Sequence, residues 1–220
     1  MPVVTISRQF GAAGAPIGRA LAERFGAELL DRAIVAQVAL RAGIPEHELE
    51  SYDERLPTMW QRVASALAAA PEPALAGVPF STSLAPVTIH ERLVEITRGV
   101  IEEAAERGNA VILGRGGAFI LASHPAAFHV QLHASLDARV RYLLARVEDI
   151  PQEARPEESA LRELCRAIDT ARAEYIADVF GADWRDVTHY DLALDTGRVG
   201  VEKSTDLIEA AVRAAERAAS

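Results

Sequence analysis

The sequence predicts an α/β fold, a mostly parallel sheet with helices on both faces. Three observations predict it. Short apolar runs rich in β-branched residues alternate with longer stretches of helical period. The first 31 residues already contain one complete unit of that alternation, in VVTISRQFGAAGAPIGRALAERFGAELLD. Two of the apolar runs, at 3–6 and 110–113, lead straight into glycine-bearing turns. Ligands of such sheets bind outside the carboxyl ends of the strands, where these turns lie.

Taken in order, Val3 to Ile6 reads as a strand and Ser7 to Ala15 as a turn. Pro16 to Phe25 reads as an amphipathic helix, with Ile17, Leu21, Ala22 and Phe25 at helical spacing. Pro16 suits a first helical turn, where a missing N–H removes no intrahelical bond. Ala27 to Leu30 is a second strand, ending at Asp31. Residues 32–43, 45–49 and 58–70 read as helical, the last with Trp60, Val63 and Leu67 on one face. Residues 71–86 carry four prolines and read as a loop. Val87 to Arg107 is a long helix ended by Gly108-Asn109, followed by the strand Ala110 to Leu113 and the turn Gly114-Arg115-Gly116-Gly117. Phe128 to Leu132 is a strand. Leu136 to Val147 and Glu158 to Val179 are helices around an acidic tip at 148–157. Asp191 to Leu194 is the last strand and Val201 to Ala218 the closing helix.

Composition narrows the function. The chain has 220 residues, half of them hydrophobic, which suits one α/β domain or one with a helical insertion. Net charge is −9, so no strong basic field draws nucleic acid or an anionic membrane. No apolar run is long enough to span a membrane, and the amino terminus lacks the pattern of a signal peptide. The single cysteine, Cys165, forms no internal disulfide and no cysteine-based zinc cluster, and it fits a reducing cytoplasm. His90, His124, His129, His133 and His189 have no metal-ligand spacing, and no metal-ligating residue is assigned.

A strand, a glycine turn and a helix in that order set free amides and a positive dipole end beside the strand's carboxyl end, which favours an anion, usually phosphate. The full phosphate-loop pattern G-x-x-x-x-G-K-[ST] is not met. Residues 7–16 read SRQFGAAGAP, with no lysine, and of the 23 basic residues of the chain only Lys203 is a lysine. Arg8 is the cation of the turn. A plain strand–helix turn is the alternative. A dinucleotide-binding reading fails on spacing: Gly11, Gly14 and Gly18 are not G-x-G-x-x-G, and Lys203 has Val199, not tyrosine, four positions earlier. GRVGVEKS at 197–204 imitates a phosphate loop, but too little chain follows it for a nucleotide domain, and it reads as the cap of the last helix.

Three stretches carry a family resemblance: residues 3–35, GNAVILGRGGAFIL at 108–121, and IDTARAEYIADVFGADWRDVTHYDLALDTGRVGVEKSTDLI at 168–208. On them the chain resembles the cytidylate kinase-like family of nucleoside monophosphate kinases, with the motifs in order from residue 3 to about 210. The resemblance implies a P-loop kinase-type three-layer αβα sandwich with a five-stranded parallel sheet. The core would take 1–31, 108–136 and 190–220, a helical monophosphate-binding insertion 32–107, and a lid-type region 137–189. It implies transfer of the γ-phosphoryl of ATP, with Mg²⁺, to CMP or dCMP in the cytoplasm. Small nucleotides are then the partners, and oligomeric state stays open.

Residue by residue, the resemblance gives Gly11, Ala12, Ala13, Gly14 and Ala15, with Arg8, to the phosphates of ATP. Arg8, Arg141 and Arg172 become the catalytic cations. Asp31, Arg115, Asp169 and Arg172 face the acceptor nucleotide, Asp169 and Arg172 as a D-x-x-R on one helix face. For Arg115 an ordinary loop arginine is the alternative. For Asp169 with Arg172 it is a surface ion pair, for Arg139, Arg141 and Arg146 a solvated helix face, and for Asp31 a helix cap. Ala13-Gly14-Ala15-Pro16 stands where true cytidylate kinases have Gly-Lys-Gly-Thr, and this branch often shows an arginine near position 15. Gly116 replaces the acidic residue expected after Gly-Arg. A catalytically weak or inactive nucleotide-binding sensor of the same fold is therefore the second reading.

Overall fold

The computed structural model describes residues 1–31, 87–146 and 156–219. The expectations for 32–86, Trp60 included, and for the acidic tip up to 155 lie outside the described residues.

The first strand, β1 (Val3–Arg8), is buried on both faces through Ile6, as a near-continuous apolar run in a parallel sheet must be. Helix α1 (Gly14–Phe25) leads to β2 (Glu28–Leu30). Helix α2 (Val87–Arg107) leads to β3 (Ala110–Leu113), and the single turn α3 (Gly117–Ile120) to β4 (Ala127–His133). The hairpin of α4 (Leu136–Ala145) and α5 (Glu158–Phe180) precedes β5 (Leu192–Asp195). The turn α6 (Thr196–Val199) and helix α7 (Val201–Ala219) close the chain.

The five strands are ordered β2-β3-β1-β4-β5 and every pairing is parallel. β1 therefore lies at the centre, and its carboxyl end faces those of β3 and β4. Alternation along β1 feeds two cores. Val4 and Ile6 pack with Ile17 and Leu21 of α1 and Ile208 and Val212 of α7. Val3 packs with Ile101, Ala104, Ile112 and Leu121 on the α2 side. A third core lies inside the α4–α5 hairpin and takes in one residue from outside it, Phe10.

Differences from the expected elements are small and sit at their ends. α1 begins at Gly14, two residues before Pro16, because Ala13 in the left-handed region already turns the chain into the helix. α4 ends at Ala145 instead of Val147. Gly117 starts α3, so the second glycine loop is three residues long. α2 and β3 keep the expected bounds, with Gly108 and Asn109 at φ 71° and 57° forming the stop between them. The decoy at 197–204 spans α6, a break at Gly200 and the first turn of α7. No helix among the described residues is long and apolar enough to cross a membrane.

Candidate phosphate-binding site

The loop from Gln9 to Ala13 is tied down at several points. Gln9 N–H donates to Leu132 O at 2.9 Å, and Gln9 Oε1 accepts from Ala134 N–H at 3.0 Å. Ala12 N–H closes a turn onto Gln9 O at 3.2 Å. The buried Thr196 hydroxyl lies 3.1 Å from Ala12 O and 3.3 Å from His133 O, and donates to either. Gly11 at φ 79° and Ala13 at φ 56° place left-handed residues on both sides of Ala12, so the chain curls instead of running on. The first amides of α1, Gly14 and Ala15, have no carbonyl one turn behind them to bond. α1 carries no acidic residue in its first turn and no side-chain cap. Its dipole end is therefore not neutralised from within the helix. Pro16 is the third helical residue and offers no N–H.

Arg8 crosses the mouth of this loop. A Cβ at Gly14 would lie 2.7 Å from Arg8 Cγ, and a Cβ at Gly114 would overlap Arg8 Nη1. The side chain thus passes over Gly14 and ends against the carboxyl end of β3. The two glycines are required by this packing, and Gly114 also by its φ of 78°. Gly114 N–H donates to Ile6 O at 2.9 Å, and Arg115 follows at φ 57°.

Three guanidiniums share the space. Burial holds Arg8 well below the usual guanidinium range, the charges of Arg172 and Arg115 lower it further, and Asp31 opposes them. Arg115 is lowered to about 10 by burial, against Tyr175 and Asp31. Arg172 is lowered to about 10 by burial, against Asp169. Arg172 Nη1 donates to Arg8 O. Burial also raises the Tyr175 phenol, which the nearby Arg115 and Arg98 pull back down. Like charges this close favour an anion in their midst.

Of the residues singled out from sequence, the structure brings Arg8, Asp31, Arg115 and Arg172 close together, with Arg8 lying across Gly14. Arg141 stands elsewhere, exposed on α4. Asp169 is 4% exposed, and its nearest cation is not Arg172 at 3.9 Å but Arg139 at 2.6 Å. Asp169 Oδ1 accepts from Phe10 N–H at 2.9 Å, and Arg139 Nη1 donates to Phe10 O at 3.1 Å. Arg139 is thus a buried residue and not part of a solvated face. Its position in LDARVRYLLA marks it, because 139 falls on the apolar stripe of Leu136, Val140 and Leu143. Trp184 is 2% exposed, and its Nε1–H donates to Ser7 Oγ at 2.7 Å. Tyr190 OH and Gln131 Nε2 both donate to Trp184 O at 2.9 Å, which fixes the end of β1 from the β4–β5 side. No spacing rule exposes such long-range partners.

Comparison with known proteins now decides the family. The profile of the cytidylate kinase-like family matches residues 3–198. The chain belongs to the cytidylate kinase-like family. None of the curated proteins compared matches this family member. Among solved structures, an uncharacterized protein from Eubacterium ventriosum is similar, with a TM-score of 0.66 and 18% identity over 97% of this chain and 99% of that one. A gluconokinase from Sinorhizobium meliloti aligns with a TM-score of 0.52 and 13% identity over 98% and 92%. A shikimate kinase from Bacteroides thetaiotaomicron aligns with a TM-score of 0.50 and 17% identity over 96% and 98%. At these identities the likeness is one of fold, the three-layer αβα sandwich of P-loop-type kinases. Family and fold together are those of small-molecule kinases.

Among the described residues, the donor set suits a polyphosphate and not a protein-held metal ion. The amides and arginines suit phosphate oxygens. Pro16 stands where the metal-binding hydroxyl of a phosphate loop is expected, and no group of His, Cys, Asp and Glu that could hold a metal gathers among the described residues.

Proposed function

We propose that this kinase-like chain binds ATP at the 8–15 turn and transfers its γ-phosphoryl group to a pyrimidine nucleoside monophosphate, CMP or dCMP. One observation carries the reading. Arg8 lies across Gly14, and Arg172 and Arg115 lie close enough to lower its pKa, so three cations gather near a helix start that has no acidic residue in its first turn. Phosphoryl transfer asks little covalent chemistry of a protein; it asks for alignment and neutralisation of charge. The amides of Gly14 and Ala15 would take oxygens of the donor's tail. Arg8, lying across Gly14, would do part of what a lysine does in a standard phosphate loop. Arg115 would grip the acceptor phosphate with its planar fork, with Asp31 holding that fork in place. By the family resemblance, 32–107 would be the monophosphate-binding insertion and 137–189 the lid-type region. Kinase-like membership implies ATP with Mg²⁺ in general terms. No residue here is assigned to the ion.

A second reading keeps nucleotide binding and loses most turnover, and Ala15 and Pro16 favour it. A missing charge-assisted phosphate contact costs about 2–4 kcal/mol in the transition state, or roughly 30- to 1,000-fold in rate. A coupled ATP-consumption assay with CMP, dCMP and UMP separates the two. Turnover with CMP or dCMP above UMP supports the kinase. Micromolar ATP binding with no turnover on any monophosphate leaves the sensor. No binding of either nucleotide overturns both.

A further inference from the structure

The phosphate loop is anchored by a residue that no motif marks. Phe10 is 3% exposed, and its ring lies inside the α4–α5 hairpin with Val140, Leu143, Leu161, Leu164 and Ile168. Both peptide groups of Phe10 are held as well. Its N–H goes to Asp169 of α5 and its carbonyl to Arg139 of α4, while Arg139 and Asp169 pair with each other at 2.6 Å. Three attachments from two helices thus converge on one residue, next to Gly11.

Stability alone explains this pair poorly. Burying two charges is costly, and well-packed apolar replacements are often neutral or better. Arg139 Nε has no hydrogen-bond partner among the described residues, which adds a penalty. What the pair does supply is orientation. It sets the planes of the peptides on both sides of Phe10, and therefore where the left-handed turn at Gly11 begins.

We propose that Asp169 and Arg139 are positioning residues for the phosphate loop. Acting through Phe10, they aim the amides of 11–15 at a polyphosphate and couple its binding to the seating of the α4–α5 hairpin. The inference rests on the triphosphate reading of the loop. It gives Asp169 a place under the donor site, where the D-x-x-R resemblance had it touching nucleotide. Coupling is reciprocal, so a ligand on the loop also steadies the hairpin.

The test uses the full chain with inorganic tripolyphosphate and CMP as separate probes, read by calorimetry and residue-resolved hydrogen exchange. In the wild type, the Phe10 amide exchanges as slowly as the Ile168 amide, and tripolyphosphate slows exchange across 136–145 and 158–180. Asp169→Asn keeps an acceptor for Phe10 N–H but removes the charge facing Arg139. It weakens tripolyphosphate roughly tenfold or more, as expected for a misaimed site, changes CMP affinity less than twofold, and speeds exchange at 10–13. If that variant does not fold, the double variant R139M/D169N, which removes both charges, carries the same expectation. Loss of CMP affinity with tripolyphosphate unchanged would make Asp169 an acceptor contact and overturn the inference. Fast exchange of Phe10 in the wild type would overturn it too. If the wild type binds no tripolyphosphate, the triphosphate reading fails, and exchange at 10–13 in the variants decides the positioning role alone.

Discussion

Two glycine loops meet at the carboxyl ends of neighbouring strands, and they are built differently. The loop after β1 is fastened from outside, through Gln9 to β4, Phe10 to the α4–α5 hairpin, and Ala12 to Thr196. What it offers a ligand is main chain. The loop after β3, Gly114 to Gly116, is only three residues long. What it offers is one side chain, Arg115. Each holds a non-glycine residue in the left-handed region, Ala13 at φ 56° and Arg115 at φ 57°. A cradle of amides needs external struts, because amides cannot reorient without moving the chain. A guanidinium needs only a short turn that aims its root. Arg8 joins the two, leaving β1 and ending against Gly114.

The hardest break in this arrangement is Gly114→Ala. The new Cβ would occupy the place of Arg8 Nη1, at a φ that disfavours any side chain. Arg8 must leave, and the first loop loses the cation over its mouth. ATP affinity is expected to fall about 100-fold, on the scale of a lost charged contact plus misplacement. Calorimetry on the folded variant checks this, and an affinity within threefold of wild type would show that Arg8 does not serve the amide loop. Arg115→Ala acts on the other side of the comparison. It should raise the acceptor's apparent KM about 10- to 100-fold and leave the KM for ATP within about threefold, read from initial rates. Equal effects on both substrates would mean that the loops are not divided between donor and acceptor.

pH separates the loops a third way. Amides do not titrate, whereas Arg115 and Arg172 are lowered to about 10. Their charge is complete near pH 7 to 8 and is lost as pH rises through about 10. CMP affinity should therefore fall on the order of tenfold between pH 8 and 10.5, and Arg115→Ala should show a smaller fall over the same range. For folding the sign is opposite. A base whose folded pKa lies below its unfolded value disfavours the fold while both states are charged, and that penalty lessens above the folded pKa. Weaker binding at high pH is thus not a by-product of unfolding at these two sites.

The sheet and its flanking helices were legible because period and apolar run-length report burial directly, as in Val3 to Ile6 and Ala110 to Leu113. The glycine turns mark the carboxyl ends of β1 and β3, and Arg8, Asp31, Arg115 and Arg172 lie near one another there. Phe10 and the partner of Arg139 were not legible. The apolar stripe puts position 139 on the buried face, but the carboxylate it meets there, Asp169, lies 30 positions away. The D-x-x-R spacing suggested a pair between Asp169 and Arg172. The structure instead turns Asp169 toward Arg139, because a carboxylate with all its lone pairs buried needs several donors, and Phe10 N–H with Arg139 supplies them. Arg141 shows the converse: matched as a lid arginine, it lies exposed two positions from the buried Arg139.

The gentlest change tests whether the shape of the first loop is imposed or intrinsic. Ala13 is 7% exposed and held at φ 56°, ψ 27°, a conformation costing an alanine about 1 kcal/mol that glycine adopts freely. The struts at Gln9, Phe10 and Ala12 must supply that energy. Ala13→Gly removes the strain and a buried methyl together, and leaves the amide path unchanged. If the struts impose the bend, the variant should be more stable by up to about 1 kcal/mol, a rise of roughly 2–4 °C in Tm for a chain of this size, with ATP affinity within about threefold. If instead Tm falls and affinity drops tenfold, the Ala13 methyl is what keeps the loop curled. The division between a strutted amide cradle and an aimed arginine would then have to be redrawn.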